Sequence, residues 1–232
     1  MHFPRSNGMV SPILVIGNKN YSSWSLRPWL LLRHFGVEFE EQRLLLDTPE
    51  FQRDVGRWSP TARVPVLIDD GLTIWDSLAI CEYANERWLA GTGWPRDRAA
   101  RAQARAAAAE MHSGFTALRM QLPMNSHRQP DAYRWDAQAQ TDIDRVQRLW
   151  AELRARHAGD GEFLCGEFGI VDAMYAPVAI RFLGYGVPMD EVASSYVAAL
   201  QRLPAFRQWR EEAAREEERI EATEALTRVA QG

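Results

Sequence analysis

The first ninety residues alternate between the two-residue hydrophobic period of strands and the 3.6-residue period of helices. Residues 13–16 are an apolar, β-branched run that ends at Gly17, which predicts a buried strand. Residues 25–35 carry leucines on one helical face and stop at Gly36, which predicts a helix. Residues 37–46 alternate loosely and indicate a second strand.

The pattern continues with a short helix, a hairpin and a longer helix. Thr48-Pro49 has the residue types of a helix cap followed by a first helical position. Two apolar runs, residues 64–68 and 72–75, flank the turn Asp69-Asp70-Gly71 and predict a β-hairpin. Residues 77–88 have the period of a further helix.

Two domains follow from this pattern. The alternating segment predicts an α/β domain over residues 10–90, with a small mixed sheet covered by helices. Gly and Pro residues at 91–95 mark a linker. Residues 97–225 predict an all-α domain, whose acidic segment 215–224 is expected to be an exposed terminus. The helices predicted in this domain span residues 97–122, 130–157, 170–183, 190–200 and 204–220.

Charge and hydropathy exclude several classes of function. The 232-residue chain has a net charge of −4 and a pI near 5.8, which argues against nucleic acid as the main partner because phosphate binding needs a basic face. No apolar run approaches the length of a membrane span, and the first residues lack the apolar core of a signal peptide. We therefore expect a cytoplasmic protein, with either Met1 or Met9 as its natural start; a start at Met9 would make residues 1–8 an extension.

The two cysteines also fit a cytoplasmic protein. Cys81 and Cys165 are far apart and lack CxxC or metal-ligand spacing, which predicts two reduced, structural thiols. The sequence shows no metal-binding cluster and no glycine-rich phosphate loop, so we expect no metal cofactor.

Ser22 lies between the first predicted strand and the first predicted helix, where free N–H groups and the helix dipole favour a negative charge. A thiolate placed there gains a hydrogen bond worth about 1.5–3 kcal/mol, and the helix terminus adds up to about 2 kcal/mol. Lowering a thiol pKa by about two units needs about 2.7 kcal/mol, so together these effects suffice to ionise a bound thiol near neutral pH. Taken alone, Ser22, Ser23 and Ser25 would more often be simple helix caps.

Two other segments offer polar groups to a peptide ligand. Pro65 opens a strand, and a cis Val64–Pro65 bond would turn the backbone of Val64 toward an extended ligand, whereas an ordinary trans proline at a strand edge would not. Arg63 beside it could clamp a carboxylate or be solvated. Ser77 and the first N–H groups of the following helix can bind a carboxylate, and Asp76 can bind an ammonium group. Alternatively, Asp76-Ser77 serves only as a helix cap.

These three segments, in this order, resemble the cytosolic glutathione transferase family in its thioredoxin-fold form. Residues 22–27, Ser-Ser-Trp-Ser-Leu-Arg, are similar to the Ser-Ser-Cys motif of the zeta class, whose first serine activates glutathione. Ser22 falls on that serine, and Trp24 replaces the cysteine. Val64-Pro65 matches the family's cis-proline site, and Asp76-Ser77 matches the acidic-Ser pair that holds the γ-glutamyl end of glutathione.

The resemblance implies a thioredoxin-like N-terminal domain followed by a helical bundle, with glutathione as co-substrate, a small hydrophobic electrophile as second substrate, and a homodimer. Arg63 falls where the family often has Lys or Gln near the glycyl end of glutathione. Residues 166–172 resemble the family's buried folding motif, with Gly169 at the cap and Asp172 three residues later. The candidate walls of the electrophile pocket are Trp24, Met111, Phe115 and Arg119, although Met111 and Phe115 also have the spacing of simple core residues.

Departures from the family pattern leave the reaction open. Trp24 at the cysteine position argues against isomerisation of maleylacetoacetate and against glutaredoxin-like members, which need a cysteine at this helix start. Tyr21 offers a hydroxyl that competes with Ser22, because a tyrosine activates glutathione in other classes. Thiol conjugation is the leading hypothesis. Glutathione-dependent isomerisation and a non-catalytic, partner-binding role are the alternatives.

Overall fold

A computed structural model describes residues 11–157 and 159–226. The two candidate starts, Met1 and Met9, and residue 10 at the edge of the predicted first domain lie outside the described residues. Strands and helices alternate in the first part of the described chain, and the remainder is helical.

A four-stranded mixed sheet forms the centre of the N-terminal domain. β1 pairs in parallel with β2 and antiparallel with β3, while β3 and β4 form the predicted hairpin. This thioredoxin-like arrangement confirms the predicted fold class of the first domain. The strands, in the spatial order β2-β1-β3-β4, are β1 (Ile13–Ile16), β2 (Glu40–Arg43), β3 (Val66–Asp69) and β4 (Leu72–Trp75).

Three α-helices accompany this sheet: α1 (Ser23–His34), α2 (Pro49–Asp54) and α3 (Ser77–Arg87). Thr48 caps α2 as predicted, because its Oγ1 accepts a hydrogen bond from the N–H of Phe51 at 3.1 Å. Helix α1 is buried on nearly every side, since it packs against α3 and also against two helices of the second domain. The start of α1 is therefore held from several directions.

The second domain is all-helical, as predicted. Its helices are α4 (Arg98–Ser113), α5 (Thr116–Gln121), α6 (Ala137–Arg156), α7 (Ile170–Tyr185), α8 (Glu191–Arg202), α9 (Pro204–Ala214) and α10 (Glu221–Leu226). The apolar α7 lies at the centre of the bundle and packs against α1, α4 and α8, so it joins the two domains. One hydrophobic core extends through both of them.

The first two predicted helices of this domain are wrong in extent. The single helix expected over residues 97–122 is broken at Gly114 and Phe115, and Phe115 has the left-handed φ of +55°. The helix expected from residue 130 begins only at Ala137, where Asp136 accepts hydrogen bonds from backbone N–H groups at 2.9 and 3.0 Å. In both cases a local signal, a glycine or an aspartate cap, outweighs the longer hydrophobic pattern.

The acidic C-terminal segment lies at the surface, as its charge suggested, but it is also bound to the rest of the molecule. Helix α9 ends at Ala214 rather than near residue 220. The carboxylate of Glu216 accepts hydrogen bonds from the backbone N–H groups of Lys19 and Asn20, both at 2.8 Å, and forms a salt bridge with Arg43 at 2.9 Å. The segment is therefore fixed against the loop that leads into α1.

The predicted folding motif before α7 is confirmed. Asp172 is fully buried and accepts hydrogen bonds from the backbone N–H of Leu164 at 3.0 Å and of Gly169 at 2.9 Å. Burial raises the pKa of Asp172 to about 6, although these hydrogen bonds oppose the shift. None of the helices in the described ranges is long and apolar enough to cross a bilayer.

Candidate functional site

A cleft of about 510 Å³ lies between the N-terminal sheet domain and helices α4 and α5. One wall consists of the chain before β3 and of the junction between β4 and α3, and the other consists of residues from α4 and α5. The cleft is lined by Trp24, Thr61, Arg63, Val64, Pro65, Trp75, Asp76, Ser77, His112 and Arg119. The fold thus brings together both predicted ligand segments and part of the predicted electrophile pocket.

The Val64–Pro65 bond is cis, as the family resemblance implied. Both residues line the cleft immediately before β3. Arg63 is exposed at the same wall, and its backbone N–H donates to Ser59 Oγ at 3.1 Å. The segment therefore presents a backbone edge and a cation side by side.

The junction of β4 and α3 offers a buried hydroxyl to the cleft. Asp76 has a φ of +76°, and its Oδ1 accepts hydrogen bonds from the N–H groups of Leu78 at 2.9 Å and Ala79 at 3.4 Å. Ser77 is 1% exposed, yet its Oγ has no hydrogen-bond partner among the described residues. Since a buried hydroxyl without a partner is costly, the position suits a polar atom of a ligand.

His112 is a cleft residue to which the sequence had assigned no role. Its Nε2 lies 3.1 Å from Asp76 Oδ2, which links α4 to the start of α3. Its ring also packs edge-on against Trp24, with ring centroids 5.3 Å apart. A single histidine in the last turn of a helix gives no signal of this contact, because its partner is 36 positions away in the chain.

Trp24 lies beside two arginines. The guanidinium carbon of Arg27 is 4.0 Å from the centroid of the Trp24 ring, and that of Arg119 is 4.6 Å from it. Arg27 is 1% exposed, and its Nε donates to the carbonyl of Met174 at 3.1 Å. Burial, together with repulsion from Arg181 and Arg119, lowers the pKa of Arg27. This end of the cleft is electropositive.

A short chain of hydroxyls occupies the start of α1. Ser22 is the N-cap residue and is 6% exposed, and its Oγ donates to Ser25 Oγ at 2.7 Å. Ser25 Oγ also accepts a hydrogen bond from the N–H of Gly17 at 3.1 Å. Ser22 and the buried Ser23 do not line the cleft themselves, but they directly precede Trp24, which does.

Tyr21 is directed to the C-terminal helix rather than to the cleft. Its hydroxyl donates to Glu224 Oε1 at 2.6 Å, and Asn125 donates to the same oxygen at 3.0 Å. Desolvation, and the carboxylate of Glu224 after it, raise the pKa of Tyr21 to about 12. In this conformation the phenol proton of Tyr21 is donated to Glu224, and the phenol is harder to ionise than that of a free tyrosine.

Two residues expected on the wall of the electrophile pocket lie in the core. Met111 is fully buried, and Phe115 is 6% exposed and contacts the ring of Tyr175. Neither lines the cleft. The break between α4 and α5 turns Phe115 inward and leaves Arg119 as the residue of α5 that faces the cleft.

The cysteines are placed as structural residues. Burial raises the pKa of Cys81 well above its usual range and that of Cys165 to about 12, so both resist ionisation. Within residues 11–157 and 159–226, no three His, Cys, Asp or Glu side chains are grouped so that they could hold a metal ion.

Two family models match the greater part of the chain. Residues 21–87 match the N-terminal domain of glutathione S-transferases, and residues 98–212 match the C-terminal domain of the same family. The chain belongs to the glutathione S-transferase family. The interval between the two matched ranges contains the predicted linker at residues 91–95.

Individual members of the family are distant. A dichloromethane dehalogenase of Methylophilus leisingeri is 36% identical over 63 residues, which are 25% of this chain and 22% of that protein. A probable maleylacetoacetate isomerase of Caenorhabditis elegans is 33% identical over 107 residues, which are 46% of this chain and 49% of that protein. The matches thus span at most about half the length of these curated relatives.

Solved glutathione transferases share the whole fold. A Burkholderia glutathione transferase homologue with bound glutathione has a TM-score of 0.68 at 24% identity, and the match covers 89% of this chain and 100% of that one. The theta class enzyme of Xanthomonas axonopodis pv. citri, also with glutathione, has a TM-score of 0.61 at 22% identity, covering 86% of this chain and 97% of that one. At this identity the likeness establishes the architecture.

Proposed function

We propose that this protein is a glutathione transferase that ionises the glutathione thiol at the start of α1 and directs it at an electrophile held near Trp24. The observation that carries the proposal is the unpartnered, buried Ser77 hydroxyl at the N-terminus of α3, in the same cleft as Arg63 and the cis Val64–Pro65 segment. Membership of the family supports it.

Each polar end of the tripeptide has a counterpart in the cleft. The γ-glutamyl carboxylate fits Ser77 Oγ and the positive end of the α3 dipole, and the adjacent ammonium fits the carboxylate of Asp76. The backbone of Val64 can pair with the central peptide, and Arg63 can hold the glycyl carboxylate. The thiol then extends toward the start of α1.

Ser22 is the proposed activating residue, and Ser25 is proposed to position it. The Ser22 proton points to Ser25 in the unliganded protein. Because hydroxyl protons rotate, Ser25 can instead donate to Ser22 while it still accepts from Gly17, which frees the Ser22 proton for the sulfur. A charge-assisted hydrogen bond together with the dipole of α1 then favours the thiolate.

The conjugation step needs no group beyond these. The thiol loses its proton to solvent, and the thiolate sulfur attacks the electrophilic carbon. With a chloronitroarene, a carbon–sulfur bond forms, the carbon–chlorine bond breaks, and chloride leaves with the electron pair. The protein contributes ionisation and proximity.

The glutathione site is tested with Ser77→Ala. Because the variant loses a charge-assisted hydrogen bond to the γ-glutamyl carboxylate, titration calorimetry should show glutathione binding weakened about tenfold or more. The control is Ser194→Ala, which removes an exposed hydroxyl on α8 and should bind as wild type does. Absence of binding by the wild type at millimolar glutathione would refute the proposal and favour a non-catalytic, partner-binding role.

Glutathione-dependent isomerisation is the second candidate, because the chain is similar to a probable maleylacetoacetate isomerase over 107 residues. There the thiolate would add to the double bond and leave again after rotation, so the same site would serve. Product analysis with maleylacetone and with a chloronitrobenzene separates the two reactions. Turnover of maleylacetone alone would replace conjugation by isomerisation.

We also propose a homodimer, as the family resemblance implied. Leu72 is 54% exposed on β4 at the edge of the sheet, whereas Trp75 on the same strand lines the cleft. The open edge with its exposed leucine is available to a second copy of the chain.

A further inference from the structure

We propose that Arg119, backed by Arg27 across the Trp24 ring, forms a subsite for the carboxylate of an anionic electrophile. The inference rests on the proposed transferase function and names the class of its second substrate. It replaces the expectation of a purely hydrophobic electrophile with that of a small aromatic or unsaturated compound carrying one carboxylate.

The first argument is that glutathione leaves Arg119 without a counterpart. The ionisable groups that line the cleft are Arg63, Asp76, His112 and Arg119. Arg63, Asp76 and the N-terminus of α3 account for the two carboxylates and the ammonium of the tripeptide, and His112 contacts Asp76. Arg119 lies on the opposite wall, in α5, where the second substrate would be held.

The second argument is that no acidic side chain of the described residues forms a salt bridge at this end of the cleft, although the carboxylate of Asp76 attracts Arg27 from a greater distance. Within the described residues, neither Arg119 nor Arg27 forms a salt bridge with an acidic side chain, and the one side-chain hydrogen bond of Arg119 goes to the carbonyl of Gly114 at 3.3 Å. Arg27 Nη1 is buried and unpartnered, and the fully buried Arg181 adds a third cation nearby. Concentrated, desolvated cations of this kind favour a bound anion.

The third argument concerns geometry. A guanidinium presents parallel N–H donors that match the two oxygens of a planar carboxylate. The contact between Arg119 and Trp24 holds the guanidinium at a fixed place on the wall of the cleft, where a bound carboxylate can reach it. Trp24 lies two residues from Ser22, so an electrophile anchored here would be close to the activated sulfur.

The test compares two electrophiles of equal size, 4-chloro-3-nitrobenzoate and its neutral amide, 4-chloro-3-nitrobenzamide. Arg119→Gln should lower kcat/KM for the benzoate about tenfold or more, mainly through KM, and change it less than about threefold for the benzamide. Arg119→Lys should retain more of the benzoate activity than Arg119→Gln does, because lysine keeps the positive charge but lacks the paired N–H donors of a guanidinium. Arg202→Gln, which removes an exposed arginine of α8, is the matched control and should leave kcat/KM unchanged for both the benzoate and the benzamide.

The binding of glutathione and the pKa of its thiol are measured in the same variants and should be unchanged. An equal loss of activity toward both electrophiles, or a raised thiol pKa in Arg119→Gln, would assign Arg119 to glutathione and overturn the inference.

A measurement without glutathione separates this inference from the transferase proposal. Unreactive 3-nitrobenzoate, titrated by calorimetry, should bind more tightly than 3-nitrobenzamide, and Arg119→Gln should remove the difference. If glutathione fails to bind but this preference holds, the transferase proposal fails and the anion subsite stands. If the wild type binds both compounds equally, the subsite is refuted whatever glutathione does.

Discussion

At the scale of single residues, the account depends on which hydroxyl reaches the sulfur. Ser22 and Ser25 form a hydrogen-bonded pair at the N-terminus of α1, where the helix dipole favours an anion. The hydroxyl of Tyr21 is held by Glu224, and its pKa is raised to about 12. Local geometry therefore favours the serine over the tyrosine.

The first prediction compares Ser22→Ala with Tyr21→Phe. We expect Ser22→Ala to lower the rate of conjugation about tenfold to a hundredfold, because it loses one charge-assisted hydrogen bond to the thiolate. Tyr21→Phe should stay within about threefold of wild type, since its hydroxyl serves the C-terminal helix. Steady-state kinetics at saturating glutathione give both values. Near-normal activity of the serine variant with an inactive tyrosine variant would reverse the assignment.

Residue types predicted much of the site, and tertiary contacts supplied the rest. Val64, Pro65, Asp76 and Ser77 could be recognised because their roles depend on a strand end or a helix start, which are local features. The contact of His112 with Asp76 could not be recognised, because it depends on how α4 packs against α3.

At the scale of elements, the C-terminal segment is the least expected part of the structure. Its acidic composition indicated solvation, but Glu216 accepts from two successive backbone N–H groups of the loop that carries Ser22. Charge patterning cannot reveal such a contact, since Glu216 and Lys19 are 197 positions apart. The segment fixes the approach to α1.

The second prediction tests that role with Glu216→Ala. The variant leaves two buried N–H groups without a partner and should lower the free energy of unfolding by about 2 kcal/mol or more. The thiol pKa of bound glutathione should also rise, because the loop before Ser22 is less constrained. Glu217→Ala, an exposed neighbour, is the control and should match wild type in urea unfolding and in thiol pKa. An unchanged thiol pKa in a destabilised Glu216→Ala would limit the segment to a structural role.

The third prediction concerns Asp172, whose pKa is about 6 in the folded protein against 3.8 for a free aspartate. Between these values the folded state binds more protons than the unfolded state, so this group's contribution to stability falls as pH rises through the window. The difference in free energy of unfolding between wild type and Asp172→Asn should therefore shrink by about 2 kcal/mol from pH 4.5 to pH 7.

Asp136→Asn provides the control for this measurement. Backbone N–H groups lower the pKa of Asp136, so its contribution is lost only as pH falls below the ordinary aspartate range. The difference in free energy of unfolding between wild type and Asp136→Asn should therefore be constant between pH 5 and pH 7. A flat profile for Asp172→Asn as well would show that Asp172 titrates normally in the folded protein.

At the scale of the whole molecule, the alternation of strands and helices predicted a small mixed sheet with helices and a following all-helical domain, because each element of the sheet domain has a local start and stop signal. The family resemblance added the thioredoxin-like topology. The boundary at Gly114 was mispredicted because apolar periodicity continued across it, and the boundary at Asp136 because Pro130-Asp131 also has the residue types of a helix start. The cleft itself depends on how α4 and α5 close over the sheet domain, which periodicity does not specify.

The fourth prediction concerns assembly. Leu72→Glu places a charge on the exposed edge strand β4 and should convert the proposed dimer to a monomer at micromolar concentration. Ser194→Glu is the control, since it places the same charge on an exposed polar position of α8 and should leave the dimer intact. Light scattering reports the mass. A monomeric wild type at micromolar concentration would contradict the proposed dimer.

The most direct measurement of the central claim is the ionisation of the glutathione sulfur when the tripeptide is bound. Thiolate absorbance in ultraviolet difference spectra, followed against pH at saturating glutathione, gives the thiol pKa in the complex. We predict a pKa about two units below the ordinary thiol value of about 8.5, and its return toward that value in Ser22→Ala. A saturated complex whose sulfur is still fully protonated at neutral pH would contradict the account.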